Sequence, residues 1–83
     1  MTSYELKEFK ELVRDSSKEA LLGLKKRIEK DYRDYFHKIG LLENTEYLPT
    51  YKVLKEDYLY WMLNLAKQLD IINAELKRME YMK

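Results

Sequence analysis

Apolar residues recur at steps of three and four along most of this chain, the spacing that places side chains on one face of an α-helix. The pattern is clearest in the C-terminal part, where it forms an unbroken heptad pattern. Its positions are Tyr58, Met62, Leu65, Leu69, Ile72, Leu76 and Met79. Such a stripe predicts either the seam of an intermolecular coiled coil or the core of a monomeric helical bundle.

Two amphipathic helices are predicted before this one. The first runs from about 3 to 15 and has one apolar face, and the spacing of Thr2 and Glu5 predicts a capping box at its start. The second runs from about 17 to 39 and carries a longer apolar stripe. The face of the first helix consists of Leu6, Phe9 and Val13, with Leu12 beside them. The stripe of the second consists of Leu21, Leu24, Ile28, Tyr32, Tyr35 and Ile39, with Phe36 alongside.

The boundary between the first two helices depends on a pair of serines. Ser16 and Ser17 offer N-cap hydroxyls, and Ser16 with Glu19 has the capping-box spacing, which predicts a new helix here. The alternative is one unbroken helix from 3 to 39, because a serine lowers helix stability by only about half a kcal/mol.

Glycine and proline indicate the other helix ends. Gly40 suits the C-cap of the second helix, because glycine tolerates the left-handed conformation that such caps use. A connection from about 41 to 49 follows, and Pro49 fits the first turn of the third helix. The third helix then runs from about 50 to 82, roughly 50 Å at 1.5 Å per residue. The sequence therefore predicts an all-α helical hairpin or three-helix unit.

The third helix contains the uncharged run YLYWML, residues 58–63, called the apolar segment below. Leu59 and Leu63 are about 100° around the helix from the heptad stripe, Tyr60 is nearly opposite it, and Trp61 is on the other flank. One neighbouring helix cannot cover all these sides, so we expect the first helix, a second copy or both to cover the rest. The candidate partner or self-association surface is Tyr58, Leu59, Tyr60, Trp61 and Leu63.

The composition supports self-association. In a single domain of 83 residues the core is thin, and without cysteine no disulfide or thiolate metal site can reinforce it. A dimer that completes a larger bundle is therefore expected. The beginning MTSYELKEFK has charges where a signal peptide needs an apolar stretch, and no run is long enough to span a membrane. We expect a soluble cytoplasmic protein without membrane contact.

No catalytic or cofactor site is predicted. His37 is the only histidine, and without cysteine it cannot assemble a His/Cys metal cage. The serines lie outside any glycine elbow, and the chain has no phosphate-cradling glycine loop. The sequence therefore predicts a protein that is not an enzyme and that uses no metal or cofactor.

One charged feature suggests a ligand. Positive residues recur along the polar side of the second helix, although like charges at these spacings repel. This basic row consists of Lys25, Lys26, Lys30, Arg33 and His37, with Arg27 adjoining. Either Glu29 and Asp34 neutralise a solvated face, or the row contacts phosphates or an acidic protein patch. The net charge of +1 provides no global attraction to nucleic acid.

These observations favour a small non-enzymatic module for protein–protein interaction, and a nucleic-acid-binding protein that uses the basic row is the alternative. In size and style the chain resembles accessory proteins of phages and mobile elements, which include inhibitors of host defence enzymes. The resemblance implies that the protein inhibits a host protein by occupying one of its surfaces.

Overall fold

A computed structural model of the chain, which describes residues 2–81, contains three α-helices and no strand among those residues. Helix α1 is Ser3–Arg14, α2 is Lys18–Leu42 and α3 is Tyr51–Tyr81. A 3₁₀ turn, Glu43–Thr45, follows α2 directly. The all-α class is confirmed. Residue 82, the predicted end of the third helix, lies outside the described residues.

The start of α1 has the predicted capping box. The amide of Glu5 donates to the Thr2 hydroxyl at 3.2 Å, and the amide of Thr2 donates back to the Glu5 carboxylate at 3.4 Å. These bonds satisfy amides that the first helical turn leaves free. The local sequence alone therefore determines where α1 begins.

A break separates α1 from α2, as the predicted new helix requires, and the alternative of one unbroken helix is wrong. The N-cap of α2 is Ser17, whose hydroxyl accepts from the amide of Ala20 at 3.2 Å. Both serines were predicted to offer N-cap hydroxyls, and Ser17 is the one that caps α2, so the capping box predicted from Ser16 and Glu19 is wrong. The Ser16 hydroxyl instead donates to the Leu12 carbonyl at 2.7 Å, where it satisfies an acceptor at the end of α1.

Helix α2 continues through Gly40 to Leu42, so the predicted glycine C-cap is wrong. Gly40 has no positive φ, and the helix closes through the 3₁₀ turn. There the Thr45 hydroxyl donates to the Leu42 carbonyl at 2.7 Å. Because this bond and the tighter turn satisfy carbonyls at the helix end, no left-handed residue is needed.

Pro49 precedes α3 instead of occupying its first turn, which corrects the predicted start of this helix. The amide of Tyr51 is bonded to the Leu48 carbonyl in the turn, at 3.1 Å. The first helical bond follows, from the amide of Leu54 to the Thr50 carbonyl, also at 3.1 Å. Thr50 therefore has the position of the N-cap, one residue after the proline.

Helices α2 and α3 form an antiparallel hairpin, and α1 packs against its open end. Leu21, near the start of α2, shares a cluster with Ile72, near the end of α3. Tyr35 of α2 meets Tyr58 of α3 nearer the turn. Val13, near the end of α1, joins the same cluster, so α1 ends and α2 begins at the open end of the hairpin.

The core is small and lies at the open end. Its fully covered side chains are Val13, Leu21 and Ile72, with Ile28 close to full burial. Every position of the heptad stripe in α3, from Tyr58 to Met79, is buried or half-buried within the single chain. The stripe is therefore at least partly covered by contacts inside the chain.

The molecule is thin and elongated, with extents of 54 × 24 × 16 Å. Its radius of gyration is 15.7 Å, against about 12 Å for a compact domain of this length. Its accessible surface is 6572 Å², against about 5,300 Å² for a folded monomer of this mass. A single chain is thus more extended, and exposes more surface, than a compact monomer of the same size. No helix in the described range is both long and apolar enough to cross a bilayer.

Candidate interaction surface

The apolar segment is divided between the interior and the solvent. Met62 is buried, and Tyr58 is half-buried with its ring 5.7 Å from that of Tyr35. The other four residues are between 48% and 56% exposed: Leu59, Tyr60, Trp61 and Leu63. Neither α1 nor α2 covers them, so the option that the first helix shields the whole segment is wrong.

Trp61 and Tyr60 form an exposed aromatic pair. Their ring centroids are 5.7 Å apart and the rings meet edge to face at 75°. Such contacts fix the orientation of two large side chains that remain open to solvent. Leu59 and Leu63 are on the opposite flank of α3 from Trp61, because successive residues differ by about 100° around a helix. The segment thus presents two distinct contact areas.

Asn64 lies in the interior, which the sequence analysis did not predict. This polar residue directly follows the apolar segment in the sequence, yet it is only 5% exposed. It begins a run of covered positions at steps of four, three and four, namely Asn64, Gln68, Ile71 and Glu75. Ile71 and Glu75 share a groove with Val13 and Arg14, so this run is the face of α3 that packs against α1.

The groove between α1 and α3 is lined by charges of both signs. Arg78 donates from its Nε to both carboxylate oxygens of Glu75 at 3.0 and 3.1 Å. These hydrogen bonds, with a smaller contribution from the charge of Arg14, lower the pKa of Glu75. Lys10 and Asp70 complete the polar lining. Glu75 therefore binds Arg78, one of the three basic residues that line the groove.

The basic row is mostly in the open on α2. Lys26, Lys30, Arg33 and His37 are all exposed, on the side away from the apolar stripe. Lys25 is half-buried and lines a shallow groove with Leu22 and Lys77, so the structure separates it from the other four.

The acidic neighbours of the row do not neutralise it by direct contact. Among the described residues, neither Glu29 nor Asp34 forms an ion pair with the row, the ion pairs being Lys55–Glu43 and Arg78–Glu75. The charges of the row therefore face solvent, where a phosphate or a carboxylate of a ligand can reach them.

A polar cluster that the sequence analysis missed joins α2 to α3 at the turn. The Tyr51 hydroxyl donates to Glu43 at 2.6 Å, and Lys55 Nζ lies 2.9 Å from the same carboxylate and 3.1 Å from the hydroxyl. Hydrogen bonds from Tyr51 and Lys55 lower the pKa of Glu43, while the bond to Glu43 raises the pKa of both Tyr51 and Lys55. Only the Tyr51–Lys55 spacing of four hints at this in the sequence.

The single histidine and the acidic side chains of the described residues do not gather into a metal-binding group. His37 lies on the outer side of α2, and no group of three metal-binding side chains occurs in the described range. Among proteins of known family, curated function or solved structure, we find no match to this chain. The functional argument therefore depends on the surfaces alone.

Proposed function

We propose that the protein is a small non-enzymatic helical module that acts by binding other proteins through the apolar segment of α3. One observation carries the proposal: the aromatic pair Tyr60–Trp61, and Leu59 with Leu63 on the flank opposite Trp61, are half-exposed in a chain that buries few large side chains. Contiguous exposed apolar surface is typical of interaction sites, and tryptophan and tyrosine dominate binding energy at many interfaces.

The energetics favour a partner at this surface. Covering the exposed half of a tryptophan or leucine side chain contributes on the order of 1 kcal/mol. The free energy of unfolding of a small domain is about 5 kcal/mol at the lower end. Covering all four residues would therefore contribute a free energy that is a large fraction of this value. The chain has no disulfide to compensate for its thin core. Binding at α3 therefore both recognises the partner and stabilises the module.

Affinity capture from the source cell tests the proposal. The tagged protein is expected to retain a discrete protein partner after nuclease treatment. Trp61→Ala removes a half-exposed ring from the apolar segment, so this variant is expected to lose the partner while keeping its helix content. Tyr47→Ala is the control, because Tyr47 is 81% exposed and lies outside the segment. Equal capture by all three proteins, or none by the wild type, overturns the proposal.

Inhibition of a host protein is one form of this function, as in the phage and mobile-element accessory proteins that the chain resembles in style. In that form the aromatic pair Tyr60–Trp61 enters a groove of the target. The expected consequence is that the captured partner is an enzyme whose activity falls when the wild-type protein is added and does not fall with Trp61→Ala.

A second candidate function is nucleic-acid binding by the basic row. It is favoured by the exposure of Lys26, Lys30 and Arg33 without an ion pair to the described acidic residues. Titration against duplex and single-stranded DNA at about 50 and 200 mM salt tests it, because phosphate contacts weaken steeply with salt. Lys30→Ala/Arg33→Ala should reduce binding, whereas Lys77→Ala on α3 should not. Absence of wild-type binding at the lower salt removes this candidate.

A further inference from the structure

Helix α3 carries a second stripe beside the heptad stripe, with the same steps of four and three. It consists of Lys52, Glu56, Leu59, Leu63, Ala66 and Asp70. All six are exposed except Ala66, which is half-buried. The second stripe therefore has an apolar centre and charged ends, and five of its six side chains are exposed in the single chain.

The second stripe lies on the same side of the hairpin as Phe36 of α2. At the open end, Leu22 of α2 shares a shallow groove with Asn73 and Lys77 of α3. On α2, Phe36 lies 14 residues after Leu22, and on α3, Leu59 and Leu63 lie 14 residues before Asn73 and Lys77, respectively. Because 14 residues make about four helical turns, two residues with this separation lie on the same face of their helix. Phe36, Leu59 and Leu63 therefore lie on one side of the hairpin.

Phe36 extends the apolar centre of this side. It is 68% exposed, although an aromatic ring of its size is usually covered in a folded protein. The preceding residue, Tyr35, contacts Tyr58, so Phe36 is nearly level with Leu59 along the hairpin. Two helices thus contribute large apolar side chains to one exposed area, which is the form of half of a four-helix bundle.

We propose that a second copy of the chain docks on this side, with its α3 antiparallel to the first and a two-fold axis between Leu59 and Leu63. In this arrangement Leu59 faces Leu63 of the second copy, and Lys52 faces Asp70 of the second copy. Glu56 of one copy faces Ala66 of the second copy and is therefore close to Lys67 of that copy. A parallel arrangement instead places Lys52 on Lys52 and Asp70 on Asp70, and like charges in register oppose binding. The charge pattern therefore selects the antiparallel dimer.

The surface area agrees with a second copy as the occupant. The chain exposes 6572 Å², roughly 1,300 Å² more than a compact monomer of its mass. Burying that excess on both copies removes about 2,500 Å², within the range of obligate homodimers. The small side chain of Ala66 allows close approach beside the leucine pair.

The inference rests on the proposed function and divides its surface. Leu59 and Leu63 pair the two copies. The Tyr60–Trp61 pair, whose members point to other sides of α3, is left for a different protein.

A matched pair of variants tests the docking side. Leu63→Glu places a charge at the centre of the second stripe and should weaken dimerisation more than about 100-fold. Leu12→Glu changes a similarly exposed leucine on α1, 61% against 56%, and should leave dimerisation unchanged. Size-exclusion chromatography with light scattering gives the mass, and circular dichroism gives the helix content. An equal effect of both variants, or of neither, overturns the inference.

Charge reversal tests the orientation. Lys52→Glu and Asp70→Lys should each weaken the dimer, and the double variant should restore it, because the two positions face each other only in the antiparallel arrangement. Failure of the double variant to restore the dimer overturns the antiparallel arrangement.

Partner capture by Leu63→Glu separates this inference from the proposed function. A monomeric Leu63→Glu that still captures a protein through Trp61 supports both claims. If the wild type is a monomer with Trp61-dependent capture, only the dimer is overturned. If the wild type is a dimer that captures no other protein, the dimer stands and the proposed function is overturned.

Discussion

The rings of Tyr35 and Tyr58 lie 5.7 Å apart between centroids, tilted at 52°, and join α2 to α3 between the core and the turn. Both side chains are half-buried, and this pair lies beyond the four-residue core at the open end. Tyr58 is thus a packing residue at the inner edge of the apolar segment, whereas its neighbours Leu59, Tyr60 and Trp61 face outward.

Truncation of Tyr58 should therefore lower stability. We expect Tyr58→Ala to reduce the free energy of unfolding by about 1–3 kcal/mol, less than for a fully buried ring. That loss lowers the melting temperature by roughly 4–8 °C per kcal/mol. Tyr47→Ala is the control and should unfold like the wild type. A Tyr58→Ala protein as stable as the Tyr47→Ala protein contradicts a packing role for Tyr58.

Replacing Gly40 by alanine should stabilise the protein. Gly40 lies inside α2 without a positive φ, and an added Cβ meets nothing within 4 Å. Alanine at such a position typically raises the free energy of unfolding by about 0.5–1 kcal/mol. Gly23 has the same surroundings and serves as the matched site. Urea unfolding measures both, and destabilisation by Gly40→Ala alone would indicate that Gly40 caps the helix after all.

The two serines between α1 and α2 should differ in their contribution. Ser17→Ala removes the hydroxyl that accepts from the Ala20 amide, and loss of an N-cap costs about 1 kcal/mol. Ser16→Ala removes a donor to an exposed carbonyl of α1 that water can replace, so its effect should be smaller. Thermal unfolding of the two variants at equal concentration compares them. The reverse order would place the cap at Ser16.

The cluster of Glu43, Tyr51 and Lys55 should make stability depend on pH. Because the pKa of Glu43 is lowered in the folded state, its contribution is fully present above the unfolded pKa near 4.5 and is lost as the pH falls through the folded value. The raised pKa values of Tyr51 and Lys55 affect stability at alkaline pH. Their contribution is present below the unfolded values and is lost as the pH rises through the folded ones.

The variant Glu43→Gln tests the contribution of Glu43 to stability at acidic pH. Urea unfolding midpoints between about pH 3 and 7 should show the wild type exceeding Glu43→Gln near neutrality, with the difference shrinking toward pH 3. Glu46→Gln is the control, since Glu46 lies in the same connection outside the cluster. A pH-independent difference between wild type and Glu43→Gln would mean that the cluster is not formed in solution.

Apolar periodicity predicted the buried faces well, because burial within a helix follows from local spacing. Val13, Leu21, Ile28 and Ile72 are all on predicted faces and form the core cluster. The helix ends were harder to predict, because they depend on individual hydrogen bonds. The Thr45 hydroxyl and the turn around Leu48, for example, decide where α2 ends and α3 begins.

The candidate site was only partly predictable for a different reason. The sequence indicated that Leu59, Tyr60, Trp61 and Leu63 need more cover than one helix provides, and the structure leaves all four half-exposed. The burial of Asn64 depends on where the distant α1 packs, which no local pattern contains. The second stripe is covered only if another molecule binds it. Its spacing of four and three residues indicates a contact surface only once the hairpin shows that this face of α3 is exposed.

Sedimentation equilibrium of the unmodified protein tests the central claim, that a second copy of the chain covers the second stripe of α3, most directly. The mass is expected to rise with concentration, between about 1 and 100 μM, from 10.2 kDa toward twice that value. A mass of 10.2 kDa at every concentration would contradict it.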